Sequence, residues 1–123
     1  MSKKLGNYGE QIAIDYLKQK NYQIIDHNYY IHWGEIDIIA LKNNKLHFIE
    51  VKTRTSIKKG RPEEAITKSK IKKIWRVAII FKDNSKYKNL LFQIDVISIL
   101  LNKNTGAADI RHFPNVSVDM LAK

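Results

Sequence analysis

Two carboxylates, Asp37 and Glu50, have the residue type and the spacing of a catalytic pair. They lie in segments 35–42 and 45–52, whose content of Ile, Leu, Val and Phe predicts two strands. The asparagines at 43–44 can adopt the positive φ angles of a tight hairpin turn, and a two-residue loop there fixes how the strands face each other. In that register Asp37 faces Glu50, and the two Cβ atoms are about 5 Å apart.

Two carboxylates at this distance repel each other unless positive charge lies between them. Hard divalent cations such as Mg²⁺ or Mn²⁺ prefer oxygen ligands, so Asp37 and Glu50 together predict a site for one of these ions. Lys52 lies on the same strand face and could add positive charge or hold a nucleophile, although it could equally form a cross-strand ion pair with Glu35. A surface hairpin neutralised by lysines is the alternative, but the apolar neighbours of both acids predict burial, where unpaired charge is costly.

The arrangement of an aspartate on one strand and Glu-x-Lys on the next resembles the catalytic signature of the restriction-endonuclease-like nucleases, the PD-(D/E)XK superfamily. Four blocks in order extend the likeness over about 6–113 and resemble the YraN-like family of small bacterial proteins within that superfamily. This chain departs from the superfamily pattern at one position. The residue before the aspartate is Ile36, whereas the superfamily pattern has a proline there, which is not a metal ligand. The blocks are Gly9-Glu10 with Ala13 and Leu17, Gly34-Glu35-Ile36-Asp37, Val51-Lys52-Thr53-Arg54, and Pro62-Glu63-Glu64-Ala65.

The resemblance implies a restriction-endonuclease-like αβββαβ core and metal-dependent hydrolysis of phosphodiesters. It implies that Asp37, Glu50 and the backbone carbonyl of Val51 hold the metal. Lys52 would position or deprotonate the attacking water, or stabilise negative charge on the phosphate. Glu10 resembles the acidic residue of the first helix that completes the metal site, although an acidic residue near a helix start can also serve only to favour the helix dipole.

The apolar pattern predicts the elements that would position these residues. Their order, αβββαββ, indicates an α/β fold in which helices flank a mixed sheet. We expect one restriction-endonuclease-like domain over 1–123, with the structure of a tail over 113–123 left open. The later half of the second helix, 74–81, is apolar nearly all round and predicts burial, and Asp95 is expected to form structural hydrogen bonds inside a buried strand. Besides the hairpin, the predicted elements are helices over 6–20 and 62–82 and strands over 22–31, 90–101 and 108–113.

The charge balance predicts a polyanionic partner, and we expect nucleic acid, DNA rather than RNA. Lys and Arg number 22 against 12 Asp and Glu, for a formal net charge of +10. A basic loop over 53–61 leaves the strand directly after Lys52 and would bind phosphates without reading sequence, although it could also be only a solvated loop. The candidate contacts are Arg54, Lys58, Lys59 and Arg61 in this loop and Lys68, Lys72 and Arg76 along the second helix. Three aromatic residues, Tyr29, Tyr30 and Trp33, could stack on bases or pack in the core.

The remaining composition narrows the class of protein. The absence of cysteine excludes disulfides and thiolate metal sites. No apolar segment follows Met1-Ser2-Lys3-Lys4 and no run approaches ~18 apolar residues, so we expect a cytoplasmic protein without signal peptide or membrane span.

We therefore expect a Mg²⁺- or Mn²⁺-dependent nuclease that selects DNA by structure. A nucleic-acid-binding module that keeps the fold without turnover is one alternative, and a protein that docks an acidic partner through its basic face is another. The sequence leaves the oligomeric state open.

Overall fold

A five-stranded mixed sheet with one helix on each face forms the fold of the computed structural model, which describes residues 3–121. The strands lie in the order β1-β2-β3-β4-β5, with β3 and β4 parallel and all other neighbours antiparallel. The predicted α/β class with an αβββαβ core is confirmed, while the predicted domain's ends, 1–2 and 122–123, lie outside the described residues. The elements are α1 Lys3–Gln19, β1 Gln23–Ile31, β2 Gly34–Lys42, β3 Lys45–Arg54, α2 Lys68–Asp83, β4 Leu91–Leu101 and β5 Ala108–Phe113, with 3₁₀ turns at Pro62–Ala65 and Val118–Met120.

The β2–β3 hairpin has the register that the sequence predicts. Pairing runs from Lys42 opposite Lys45 to Ile38 opposite Ile49, around a turn whose two asparagines have φ angles of 52° and 59°. The regular pairing ends at Ile38, which directly follows the candidate aspartate in the chain. The expected cross-strand pair of Glu35 with Lys52 lies beyond this point, and within residues 3–121 these two side chains form no ion pair.

Each helix covers one face of the sheet with its own apolar cluster. On the α1 side, Ile38 packs with Leu17 and other residues, and on the α2 side, Ile39 packs with Ile74 and its neighbours. Ile36 also packs on the α2 side, although strict alternation would place it on the same face as Ile38. The pleat of β2 is therefore broken at the residue between them, which is the candidate aspartate.

The second helix begins later than predicted. Pro62–Ala65 forms only a 3₁₀ turn, and α2 starts at Lys68 because the Thr67 hydroxyl accepts a hydrogen bond from the Lys70 N–H at 3.2 Å and caps the helix. The prediction of one continuous helix from Pro62 was wrong, and the predicted burial of most of its later half holds for Ile74, Val77 and Ala78 but not for Trp75 and Ile79. Trp75 on the outer flank is 51% exposed, so only one stripe of α2 is in the core. No helix between residues 3 and 121 combines the length and the apolar character needed to span a membrane.

Candidate active site

Asp37 lies where the backbone pairing of the β2–β3 hairpin stops. Its Oδ2 accepts a hydrogen bond from the Val51 N–H at 2.8 Å, so the side chain takes the place of a backbone acceptor beyond the last strand pair. This bond fixes a buried carboxyl group beside Glu50. The negative charge of Asp37 next to Glu50 favours the protonated form of Glu50.

Glu50 is 3% exposed, and its environment favours the uncharged form. Burial is the largest cause that raises its pKa, followed by the negative charge of Asp37 and the hydrogen bond between the two groups. The positive charges of Lys70 and Lys52 act in the opposite direction but do not offset these effects. A cation beside the two carboxyl groups would favour the ionised form of Glu50, so the pair can bind a cation in place of the Glu50 proton.

Lys70 is a member of this site that the sequence interpretation missed. Its Nζ lies 3.6 Å from Glu50 Oε2, and the Thr67 cap fixes it in the first turn of α2. A signal for it exists in the sequence, because Lys70 precedes the buried residues Ile74 and Val77 by four and seven positions. A lysine on the buried stripe of a helix needs an acidic partner, and Glu50 is that partner.

Glu10 approaches the same two strands from α1. Its pKa is raised to about 7, first by burial and then by the negative charges of Asp37 and Glu35, while a hydrogen bond with Asn28 lowers it. The helix comes this close because Gly9 packs directly on Thr53, whose hydroxyl would collide with any Cβ at the glycine. The structure therefore brings Glu10 and Asp37 together.

The oxygen donors suit a hard cation but do not form a closed cage. Within residues 3–121, no group of three or more His, Asp or Glu side chains is arranged to hold a metal ion. What the site offers is two adjacent carboxyl groups, Asp37 and Glu50, and the carbonyl of Val51 as a backbone donor. An all-oxygen set with few protein ligands fits Mg²⁺ or Mn²⁺, which keep several waters or bind substrate phosphates.

A basic pocket adjoins the carboxyl pair. It has a volume of about 490 Å³ and begins at Lys52, whose charge also acts on Glu50. Its lining combines ammonium and guanidinium groups with hydroxyls, which are the groups that bind phosphate oxygens. The lining residues are Leu5, Lys52, Thr53, Arg54, Thr55, Ser56, Lys58 and Lys59.

Arg61 differs from the other basic residues of the loop. Its guanidinium donates to Glu63 Oε2 at 3.2 Å and to Asp109 Oδ2 at 3.0 Å, which ties the 3₁₀ turn to β5. Arg61 does not line the basic pocket. Its two carboxylate partners give it a structural task that Lys58 and Lys59 do not share.

The second predicted set of phosphate contacts lies on α2. Lys72 and Arg76 line a groove of about 380 Å³ together with Ser69 and Lys73, while Lys68 is half-buried and lies outside this lining. Among the aromatic candidates, Tyr29 packs edge to face on Phe81, with ring centroids 5.1 Å apart. Tyr30 and Trp33 are exposed.

Asp95 has the structural role that the sequence predicts. Its carboxylate is 0% exposed and contacts His47 Nδ1 at 3.0 Å and His112 Nε2 at 2.9 Å. It also accepts from Gln93 Nε2 at 2.7 Å and from the Asn115 N–H at 3.0 Å. Burial alone would raise the pKa of Asp95, but these hydrogen bonds, with that of His112 the largest, hold it well below its usual value.

Comparison with known sequences gives a consistent family. The family described as "Uncharacterised protein family UPF0102" matches residues 9–99, a range that contains all four candidate catalytic residues. A UPF0102 protein of Caldicellulosiruptor saccharolyticus is 41% identical over 92% of this chain and 96% of its own. A UPF0102 protein of Syntrophomonas wolfei is 36% identical over 94% and 98%, and one of Clostridium botulinum is 44% identical over 82% and 83%.

Proposed function

The chain belongs to the uncharacterised protein family UPF0102, as its resemblance to the YraN-like family predicted, and we propose that it is a cytoplasmic Mg²⁺- or Mn²⁺-dependent nuclease. Its substrate is DNA, selected by structure rather than by sequence. The observation that supports this most is the buried carboxyl pair of Asp37 and Glu50, which lies beside a basic pocket that begins at Lys52. In this proposal the carboxyl pair binds a cation, and the basic pocket binds phosphate.

The carboxyl pair is the binding site for the cation in this proposal, with the Val51 carbonyl as third donor. A divalent cation bound there would polarise the scissile phosphate and lower the pKa of a water molecule. Asp37 is held for this task by the Val51 N–H, and Glu50 is held by Lys70. Both acids are therefore fixed before substrate arrives, which is what electrostatic preorganisation requires.

Lys52 and Glu10 divide the remaining chemistry. The ammonium of Lys52 lies between the carboxyl pair and the basic pocket, where it can stabilise charge that develops on a phosphate or position the attacking water. Glu10 has a pKa of about 7, so it can accept a proton from water near neutral pH. Lys58 and Lys59 bind the phosphate chain beyond the cleaved bond.

A nuclease assay with added Mn²⁺ tests the proposal. Duplex DNA, single-stranded DNA, branched DNA and RNA are compared as substrates. Asp37→Ala and Lys52→Ala are the variants expected to be inactive. Asp15→Ala, on the exposed side of α1, is the matched carboxylate control, and Lys45→Ala, at the far end of β3, is the control for Lys52→Ala. We expect cleavage of DNA by wild type and both controls. Cleavage of none of the four substrates, or cleavage that survives Asp37→Ala, would contradict the proposal.

A second candidate function is nucleic-acid binding without turnover. The observation that favours it is the Lys70 ammonium, 3.6 Å from Glu50 Oε2, which places a positive charge beside the carboxyl pair without a metal. Calorimetry with Mn²⁺ separates the two functions, because a binding module of this kind would take up no cation at the carboxyl pair. Salt-sensitive DNA binding alone is common to both.

A further inference from the structure

Trp33 is an exposed aromatic residue that the proposed chemistry does not use. It lies in the connection between β1 and β2, and 48% of its surface is exposed. The guanidinium carbon of Arg76 lies over the ring, 3.7 Å from its centroid, which is close contact for a cation–π pair. The His32 ring contacts it at a centroid distance of 5.0 Å and an interplanar angle of 74°.

The backbone next to Trp33 also contacts α2. Gly34, the next residue, has a φ of +147°, and a Cβ there would lie 3.4 Å from the side chain of the buried Val77. The connection thus rests on the helix at one point through Gly34 and at a second through Arg76. A tryptophan fixed at two points, with half its surface still in solvent, is preorganised to receive a planar ligand.

The position of Trp33 relates it to the candidate active site. It precedes Asp37 by four residues of nearly extended chain, about 13 Å, and Arg76 follows Lys70 by six helical residues, about 9 Å. The groove lined by Lys72 and Lys73 lies on the same helix. A nucleic acid strand could place one phosphate at the carboxyl pair and the next phosphates along this groove. Such a strand would reach the Trp33 ring within a few nucleotides.

Trp75 shows why the argument applies to Trp33 alone. It is about equally exposed and lies on α2, but its ring packs against Phe92 with centroids 4.8 Å apart, and no cation among residues 3–121 covers it. That contact is an ordinary apolar one at the edge of the α2-side core. Among residues 3–121, only Trp33 combines an exposed ring, a cation over its face and neighbouring basic residues.

We propose that Trp33, clamped by Arg76, is a stacking platform for an unpaired base of the bound nucleic acid. The inference rests on the proposed function and names the substrate feature that it would select, namely unpaired nucleotides next to the cleaved bond. Both faces of a base inside a duplex are covered by its neighbours, so a tryptophan can stack only on a base that is unpaired or splayed out. Frayed, branched or single-stranded DNA meets this condition, whereas a continuous duplex does not.

The test measures binding without catalysis. In a Trp75→Phe background Trp33 is the only tryptophan, so its fluorescence reports contact with the base directly. With EDTA present, we expect single-stranded and forked DNA to quench this emission and a blunt duplex of the same sequence to leave it unchanged. Fluorescence anisotropy of labelled DNA gives the affinities in parallel.

Substitutions separate stacking from a structural role. In the wild-type background, Trp33→Leu should weaken binding to single-stranded and forked DNA about 5- to 100-fold, the loss typical of one stacked base, and leave the blunt duplex unaffected. Trp33→Phe should restore most of the affinity, and Trp75→Ala, the matched control, should change none of it. Equal weakening on all three DNAs, or Trp33 emission that stays constant while anisotropy reports binding, would overturn the platform.

Failure of the platform and failure of the nuclease give different results. Quenching by unpaired DNA from a protein that cleaves nothing would remove the enzyme proposal and retain the platform. Metal-dependent cleavage with silent Trp33 would do the reverse. A protein that binds no DNA at all would refute both.

Discussion

Two buried acids on neighbouring strands, Asp95 on β4 and Glu50 on β3, have pKa values that are shifted in opposite directions. Burial raises the pKa of each, but Asp95 receives four hydrogen bonds and its pKa is held below its usual value. Glu50 has one ammonium at 3.6 Å and a second carboxyl group beside it, and its pKa is raised. Burial therefore does not distinguish a structural acid from a functional one, whereas the supply of donors does.

The difference has a chemical consequence at each site. Asp95 needs nothing more, because its charge is compensated inside the protein by groups that also join β3, β4 and β5. The pair of Asp37 and Glu50 is complete only with a proton or with a cation from outside. A protein that places such an incomplete pair beside a basic pocket has kept a site for something that is not part of its own chain.

The largest expected effect concerns catalysis at the incomplete pair. Asp37→Ala, Glu50→Ala and Lys52→Ala should each lower metal-dependent cleavage by about 10²- to 10⁴-fold, since each removes a group that acts on the transition state. DNA affinity should stay nearly unchanged in the two acid variants, because it comes from basic residues, and should fall only slightly in Lys52→Ala, which removes one of several cations that line the basic pocket. Single-turnover cleavage and binding, measured on the same variants, check this, and a parallel loss of affinity and rate would contradict the division of roles.

Asp95, whose charge is compensated inside the protein, should affect stability rather than catalysis. Asp95→Ala removes the partner of the buried His47 and the half-buried His112 and should lower the free energy of unfolding by about 2–4 kcal/mol. Asp37→Asn, by contrast, should leave stability equal or higher in the absence of metal, because the negative charge that disfavours ionisation of Glu50 is gone. Urea unfolding of both variants in EDTA is the measurement. If both variants were destabilised to the same degree, the distinction between the two acids would fail.

The two acids should also give opposite dependence of stability on pH. Asp95 has a folded pKa below the unfolded one, so its contribution is present above about pH 4 and is lost as the pH falls through the folded pKa. Glu50 has a folded pKa above the unfolded one, so its contribution is present below about pH 4 and is lost as the pH rises through the folded pKa.

Without metal, thermal unfolding temperatures should therefore fall by a few degrees as the pH rises from about 5 to 8. Glu50→Gln should make this fall shallower, although Glu10, with its pKa of about 7, keeps part of it. Added Mn²⁺ should oppose the fall, because a bound cation favours the ionised acids. A fall of the same steepness in Glu50→Gln and wild type would exclude Glu50 as its source.

Local sequence signals were enough to predict the hairpin and much of the fold. The register of β2 and β3 follows from the Asn43–Asn44 turn and from strand alternation, and both are properties of adjacent residues. The helical stripe of α1 likewise placed Glu10 toward the sheet. The buried position of Asp95 follows from the continuous apolar run of β4.

The remainder depended on packing between distant segments. Lys70 joins the site only because Thr67, rather than Pro62, caps α2 and sets the rotation of its first turn. The sequence pattern predicted a helix start at Pro62, whereas the apolar residues that fix the start at Lys68 contact strands far away in the chain. The broken pleat at Asp37 is of the same kind, since the bond to Val51 that accompanies it spans the hairpin.

The smallest expected effect concerns the basic residues of the loop, which differ from each other in the same way as the two acids. Arg61 resembles Asp95, since two carboxylates satisfy it, whereas Lys58 and Lys59 line the pocket without an ion-pair partner among residues 3–121. Replacing both lysines by Ala should weaken binding to all DNA sequences alike, by several-fold, and flatten the slope of log K against log salt by roughly 2, because two fewer phosphates are neutralised. Arg61→Ala should instead lower the unfolding temperature and leave this slope unchanged. Binding titrations over a series of salt concentrations give the slopes, and the double variant Lys86→Ala with Lys88→Ala, outside the lining of the pocket, is the charge-matched control for the double lysine variant. A slope that responds to Arg61 but not to the lysines would mean that ion-pair satisfaction does not predict which cations serve the ligand, and would move the DNA path toward the groove on α2.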